Sequence, residues 1–223
     1  MNILYLILAA TTSYLIGSFP TAYVVVKRFA HKNIMKYGTG NVGTMNTHRT
    51  TNSKWMTAVV FFTDHLKGIL AFAIAYYGSF LMETPTQILL LYTLTFTGAI
   101  VGHNYSIWLR FRGGKGLATA AGYFIFFNPW LYVTWVISFF IIVLLTRYMV
   151  LSQMIATFIL IGFTYRFFPA QFLPVLFPGL LVIIKHAPRM LLVINGQEPT
   201  FYFSESRKNR KIAINSKTKS ARK

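Results

Sequence analysis

The sequence predicts an all-α polytopic membrane protein of about seven transmembrane helices, some of them short, with the N-terminus outside and the C-terminus cytoplasmic. Three observations carry this reading. Of the 223 residues, 55% are hydrophobic and only 12% charged, against roughly 25% charged in a soluble domain. The apolar residues come in long runs, such as Phe124–Thr146 and Val150–Phe163, and about 20 such residues cross a bilayer core of roughly 30 Å. The basic residues are segregated into three segments rather than spread along the chain. So few charges cannot cover the surface of a soluble helical core.

The first apolar run has no Lys or Arg before Lys27 and continues through Val26. A cleaved leader would carry a basic start, so the run is expected to be a retained first span. Six basic residues follow it: Lys27, Arg28, Lys32, Lys36, Arg49 and Lys54. Three more, Arg110, Arg112 and Lys115, follow the third span, and ten follow the last, from Lys185 to Lys223. Short loops rich in Lys and Arg stay in the cytoplasm. One crossing reaches the first basic segment and three reach the second, so the stretch 117–184 crosses an even number of times. Asn128-Pro129, Arg147 and Arg166 to Pro169 divide that stretch into four. The expected spans are 3–26, 55–78, 86–109, 117–127, 129–146, 149–166 and 170–184. The fourth is too short to cross alone and is expected to be tilted or partly re-entrant, packed inside protein.

Two domains of unequal kind are expected: a transmembrane domain over 1–203 and a basic, disordered cytoplasmic tail over 204–223. From Arg207 on, eight residues are basic and none acidic. The formal net charge of +18 invites nucleic acid as a partner, but its distribution argues instead for membrane lipids, with the tail on anionic lipid at about 1 kcal/mol per charge. No nucleic acid is expected. The chain has no cysteine, which excludes disulfides and thiolate chemistry. No metal-ligand pattern appears, and no cofactor is expected.

Asp64 and Lys67 interrupt the second span. Each costs roughly 3 kcal/mol at the bilayer centre, and their i, i+3 spacing puts them on one face where they can pair. They form either a polar site facing a cavity or an ion pair that pins the helix.

Three cytoplasmic segments carry the candidate chemistry. The first runs Gly38-Thr39-Gly40-Asn41-Val42-Gly43-Thr44-Met45-Asn46-Thr47-His48-Arg49. Gly38, Gly40 and Gly43 permit backbone angles that turn successive N–H groups into one anion-binding concavity. Asn41, Asn46 and Thr39 add polar groups, and Arg49 a forked cation suited to phosphate. An ordinary Gly/Asn turn is the plain alternative. The second segment contains Gly102-His103-Asn104 and Gly113-Gly114-Lys115-Gly116 before a new helix. Backbone donors and a helix N-terminus would face an anion there, with Lys115 as a point charge. It is not a nucleotide P-loop, because the required spacing is absent. His103 is either a base or a packed residue at a helix end. The third segment, Lys185 to Pro199, carries His186, Arg189 and Glu198. A site rich in cations and poor in carboxylates suits phosphorylated ligands, not hydrolysis by paired carboxylates.

These segments resemble, in order, the integral-membrane glycerol-3-phosphate acyltransferases that use acyl phosphate as donor. The likeness runs from Gly17 to Pro199 through Gly17-Ser18-Phe19-Pro20, Gly38 to Arg49, Asp64 to Gly68, Gly102 to Ser106, Gly113 to Thr119 and Gly196 to Pro199. It implies that the sn-1 hydroxyl of glycerol 3-phosphate attacks a long-chain acyl phosphate, giving lysophosphatidic acid and phosphate for phospholipid synthesis in the bacterial inner membrane. It implies catalytic roles for Thr39, Arg49, Lys115 and His186. Substrate binding would fall to the glycines of both loops, Asn41, Asn46, His103, Asn104, Thr119 and Arg189. Asp64, Lys67 and Glu198 would be structural. The partners implied are glycerol 3-phosphate, long-chain acyl phosphate and the enzyme that makes the acyl phosphate. His103, His186 or a substrate phosphate could take the proton.

The chain departs from the family pattern at Thr39, where Ser is usual, at Thr44-Met45, where Ala-Thr is usual, and at Arg189, where Asn is usual. Arg cannot accept a hydrogen bond. The last departure keeps open a paralogue that binds these ligands without turning them over. A transporter of a phosphorylated solute is the remaining alternative; it would show internal repeats and a polar site near the midplane, and neither is evident.

Overall fold

The computed structural model describes residues 3–198 and 200. The expected tail over 204–223 lies outside the described residues. Nine α-helices form among the described residues: α1 Ile3–Ser18, α2 Thr21–Ala30, α3 Thr44–Thr51, α4 Lys54–Ser79, α5 Pro85–Asn104, α6 Leu117–Phe127, α7 Pro129–Thr146, α8 Met149–Phe167 and α9 Phe172–Ile194. Six stretches are long and apolar enough to cross a membrane, with α1 and α2 counted as one. The seventh helix, α6, has 11 residues, about 16 Å at 1.5 Å per residue, too short for a core of roughly 30 Å.

Contacts order the ends of the bundle. Helices α1 and α5 lie against each other, and Tyr14 Oη donates to the Tyr105 carbonyl at 3.0 Å. Asn128, between α6 and α7, donates to Gln171 Oε1 before α9 at 2.8 Å. At the opposite end, Gln153 near the start of α8 meets His186 late in α9 at 2.9 Å. The loops 31–53 and 105–116 join this second end. The three predicted segments therefore meet at one end of the bundle, and the start of α1 lies at the other.

The outside of the bundle is as apolar as its core. Phe62, Ile137, Leu145 and Ile184 are 67%, 53%, 79% and 57% exposed, the pattern of helices that face lipid. Small residues set the closest approaches. A Cβ at Gly68 would collide with the Thr119 carbonyl, and one at Gly122 with that of His65. Helices α4 and α6 thus touch backbone to backbone, and this contact brings Asp64 and Lys67 beneath the second glycine loop.

Three span boundaries differ from expectation. The span 3–26 is two helices, broken at Phe19-Pro20, because Pro20 has no N–H to continue the ladder. The span 86–109 ends at Asn104. After it the chain reverses through Arg110 and Phe111, both with positive φ, and Ser106 pairs with Arg112. The span 170–184 continues to Ile194, so His186 and Arg189 stand on a helix and not in a connecting loop. The apolar run Met190–Ile194 sustains that helix past Pro188.

Candidate active site

The first loop is built around Asn46. This residue is buried in α3, where its Oδ1 accepts from Thr39 N at 2.9 Å. Its Nδ2 lies within reach of the carbonyls of Ile34, Tyr37 and Asn41 at 3.2, 3.1 and 2.9 Å. Gly38 and Gly40 have φ of 58° and 69°, angles that favour glycine. A Cβ at Gly38 would collide with Asn46 Oδ1. Asn46 was expected to bind substrate, but its amide is committed to holding the loop. The Thr39 hydroxyl accepts from Asn41 N at 3.4 Å, and Arg49 stands one turn beyond Asn46 on α3.

The second loop folds back on the end of α5. Gly114 N donates to the His103 carbonyl at 2.9 Å. A Cβ at Gly114 would collide with His103 Nε2 and approach the Val42 carbonyl to 2.7 Å, so this position joins both glycine loops. Gly116, with φ of 83°, ends the loop at the N-terminus of α6. Lys115 projects from between these glycines.

Helix α9 supplies the third side. His186 is fully buried, with Nδ1 2.7 Å from the Val182 carbonyl and Nε2 2.9 Å from Gln153 Oε1. One turn on, Arg189 donates from Nε and Nη2 to Glu198 Oε2 at 3.0 and 2.6 Å.

Arg49, Lys115 and Arg189 are close enough to act on one another, with Glu198 as the carboxylate among them. Burial is the first cause that pushes Lys115 down to about 8; Arg189 lowers it further, Glu198 raises it and Arg49 lowers it. Arg49 is lowered by burial and then by Arg189, with Glu198 opposing. Three cations against one carboxylate leave an excess of two positive charges, which matches a phosphate dianion.

A second polar group lies beneath the second loop. Lys67 Nζ donates to Asp64 Oδ1 at 2.6 Å, with both side chains buried. His103 Nδ1 is 3.2 Å from Thr119 Oγ1 and 3.8 Å from Asp64 Oδ1. Asn104 is fully buried, and neither end of its amide has a hydrogen-bond partner among the described residues. His103 and Thr119, expected on substrate, sit in this supporting group. Asp64 and Lys67 form the ion pair that was one of the two alternatives, and both also line a small cavity with His103 and Gly113. Among the described residues no three His, Asp or Glu side chains gather at one point.

An apolar pocket lies inside the bundle, walled by α5, α6, α7, α8 and α9. Its lining includes Leu117, Phe124, Thr157, Leu160, Val175 and Val182. Leu117 follows Gly116 directly, and Val182 lies one turn before His186.

Two residues near the site were not singled out in the sequence. Gln153 holds His186, and Lys185 stands 4.0 Å over the Tyr105 ring. Gln153 was detectable as the lone amide in the run Val150–Phe163, because polar side chains inside membrane spans are seldom idle.

The family model for glycerol-3-phosphate acyltransferase matches residues 7–196. The chain belongs to the glycerol-3-phosphate acyltransferase family. The glycerol-3-phosphate acyltransferase of Wolbachia pipientis wMel is 35% identical over 190 residues, covering 85% of this chain and 95% of that protein. That of Bacillus subtilis (strain 168) is 34% identical over 188 residues, covering 84% and 93%. The chain is also similar to the crystal structure of PlsY (YgiH), an integral membrane glycerol 3-phosphate acyltransferase. Its glycerol 3-phosphate form gives a TM-score of 0.76 at 27% identity, covering 88% of this chain and 96% of that one. Its lysophosphatidic acid form gives 0.74 at 28%, covering 88% and 95%. Membership in this family accounts for a multi-pass membrane protein.

Proposed function

We propose that this glycerol-3-phosphate acyltransferase takes its acyl group from a long-chain acyl phosphate and works at the cytoplasmic face of a bacterial inner membrane. The observation that carries the reading is the three-cation cluster of Arg49, Lys115 and Arg189, with an apolar pocket whose lining residues Leu117 and Val182 lie close in the chain to Lys115 and His186. One substrate with a phosphate head and an alkyl tail would use both.

The acyl tail lies in the pocket below Leu117 and Val182. The Lys115 side chain and the N–H groups of Gly113, Lys115 and Gly116 hold the phosphate of the donor, and Arg49, Arg189 and the first loop hold glycerol 3-phosphate. The sn-1 oxygen attacks the acyl carbonyl, the acyl–phosphate bond breaks, and inorganic phosphate leaves. Fixed donors and cations aimed at the developing charge supply the main catalytic term. Both nitrogens of His186 are engaged and His103 lies beneath the loop. The hydroxyl proton therefore passes to an oxygen of the departing phosphate, and the atoms balance as lysophosphatidic acid and hydrogen phosphate. Arg189 takes the place of the usual Asn as a third cation.

The orientation rests on the basic loops at the site's end of the bundle. The basic tail, outside the described residues, is assigned to anionic lipid. The deciding experiment gives purified protein in lipid palmitoyl phosphate with and without glycerol 3-phosphate. Phosphate release that requires glycerol 3-phosphate, with lysophosphatidic acid formed, supports the reading; binding of both without release makes the chain a non-catalytic relative.

A further inference from the structure

The relation between Gln153 and His186 contains a proton assignment. His186 Nδ1 faces the Val182 carbonyl at 2.7 Å, and a carbonyl oxygen only accepts, so Nδ1 carries the proton. Nε2 then meets Gln153 at 2.9 Å. In a neutral ring Nε2 is an acceptor, and two acceptors do not bond. Either the Gln153 amide turns its NH₂ to Nε2, or the ring carries a second proton. A second proton would place a full charge in a fully buried position beside Lys115 and Arg189. Buried charge needs a paired counter-ion, and the carboxylates at this end, Glu198 and Asp64, are already held by Arg189 and Lys67. Amide oxygen and nitrogen are assigned from the bonding network, and here the network calls for nitrogen.

We propose that Gln153 is a positioning residue of the acyl transfer: its NH₂ donates to His186 Nε2 and locks the ring as the Nδ1–H form beside Lys115 and Arg189. Gln153 comes from α8, a helix to which no site residue had been assigned, and reaches across 33 residues of sequence. The tie continues downward. Thr157 Oγ1 donates to the Gln153 carbonyl at 2.7 Å, and Trp135 Nε1 donates to Thr157 Oγ1 at 3.1 Å. A chain of hydrogen bonds thus registers His186 against a wall of the pocket, since Trp135 and Thr157 both line it. Its catalytic consequence rests on the acyltransferase reading above; the proton assignment does not.

The test uses the full chain in lipid nanodiscs with ¹⁵N-labelled histidine, His186 being assigned by the signal lost in His186→Asn. The wild type should show one neutral ring protonated at Nδ1 at pH 7. Gln153→Leu should move the Nε2 resonance and lower kcat at least tenfold, with KM for glycerol 3-phosphate within about twofold and Tm little changed. Gln153→Glu, which while ionised offers only acceptors, should either force a second proton onto the ring or break the contact, and should not restore kcat at a pH where its carboxylate is charged. A wild-type ring protonated at Nε2 or at both nitrogens overturns the assignment. Unchanged kcat in Gln153→Leu overturns the positioning role. A wild type that releases no phosphate fails the functional reading instead, and the ring signal separates the two failures.

Discussion

Glu198 Oε2 accepts from both Nε and Nη2 of Arg189, closing the turn after α9 back onto the helix. The carboxylate is 4% exposed and the guanidinium 20%. Glu198 thereby sets where the third cation of the site points. Removing one partner of a largely buried pair leaves the other uncompensated, at about 3 kcal/mol. Glu198→Ala is therefore expected to lower the Tm in lipid and to raise KM for glycerol 3-phosphate by freeing Arg189. An unchanged Tm would show that the pair contributes no net stability.

Arg49 and Lys115 approach the same centre from different loops. If each touches phosphate in the transition state, loss of either removes about 3 kcal/mol or more, on the scale of an oxyanion donor. Arg49→Ala and Lys115→Ala should each reduce kcat/KM at least a hundredfold while the protein still inserts and elutes as the wild type. Arg49→Lys should recover only part, because a point charge lacks the fork. Near-wild-type rates in both alanine variants would refute the phosphate assignment.

The position of Lys115 near pH 8 predicts a pH effect of definite sign. The amine is charged below that value and neutral above it. As pH rises from 7 to 9 the free enzyme loses this cation, so kcat/KM for acyl phosphate should fall. A bound dianion holds the proton on Lys115, so kcat should fall later than kcat/KM. Lys115→Arg should flatten the fall in kcat/KM above pH 8, because guanidinium stays charged. An identical fall in that variant would assign the effect elsewhere.

Gly114 has His103 Nε2 and the Val42 carbonyl where a Cβ would stand. Gly162, on α8, has nothing within 4 Å of that position. Gly114→Ala should displace the second loop and remove most turnover, whereas Gly162→Ala should leave turnover and Tm within error. Activity in Gly114→Ala would mean that the loop yields without losing its donors.

Ala121 lines the apolar pocket. A phenyl ring there should obstruct a long tail and spare a short one. Ala121→Phe is expected to raise KM for palmitoyl phosphate at least tenfold and to change that for butyryl phosphate little, as a chain-length series would reveal. Equal losses for both donors would place the tail elsewhere.

Much of this architecture was legible before any coordinates. Composition and charge segregation pointed to the membrane, to six or seven apolar helices and to the three segments that meet. These are local properties: each span must satisfy its own backbone and match the bilayer, and each cationic loop marks its side independently of the others. The order of the glycine motifs also pointed to the family. Helix ends were less legible where a reversal depended on distant support, as after Asn104, where Ser106 Oγ donates to the Ser18 carbonyl.

Side-chain contacts were settled by tertiary structure. Asn46 and Arg49 share one loop and look alike as phosphate ligands in sequence, yet packing turns the Asn46 amide into its own loop while Arg49 faces Lys115, Arg189 and Glu198. His103 and His186 are equally plausible bases on paper. One lies beneath Gly114 and the other is held at both nitrogens, by Val182 on its own helix and by Gln153 on another. The sequence by itself determined the membrane class, the apolar helices and the segments that meet, because hydrophobic length and loop charge act residue by residue. Only the tertiary structure decided which polar groups face the ligand space, because a hydrogen bond forms or not according to direction and distance between residues far apart in the chain.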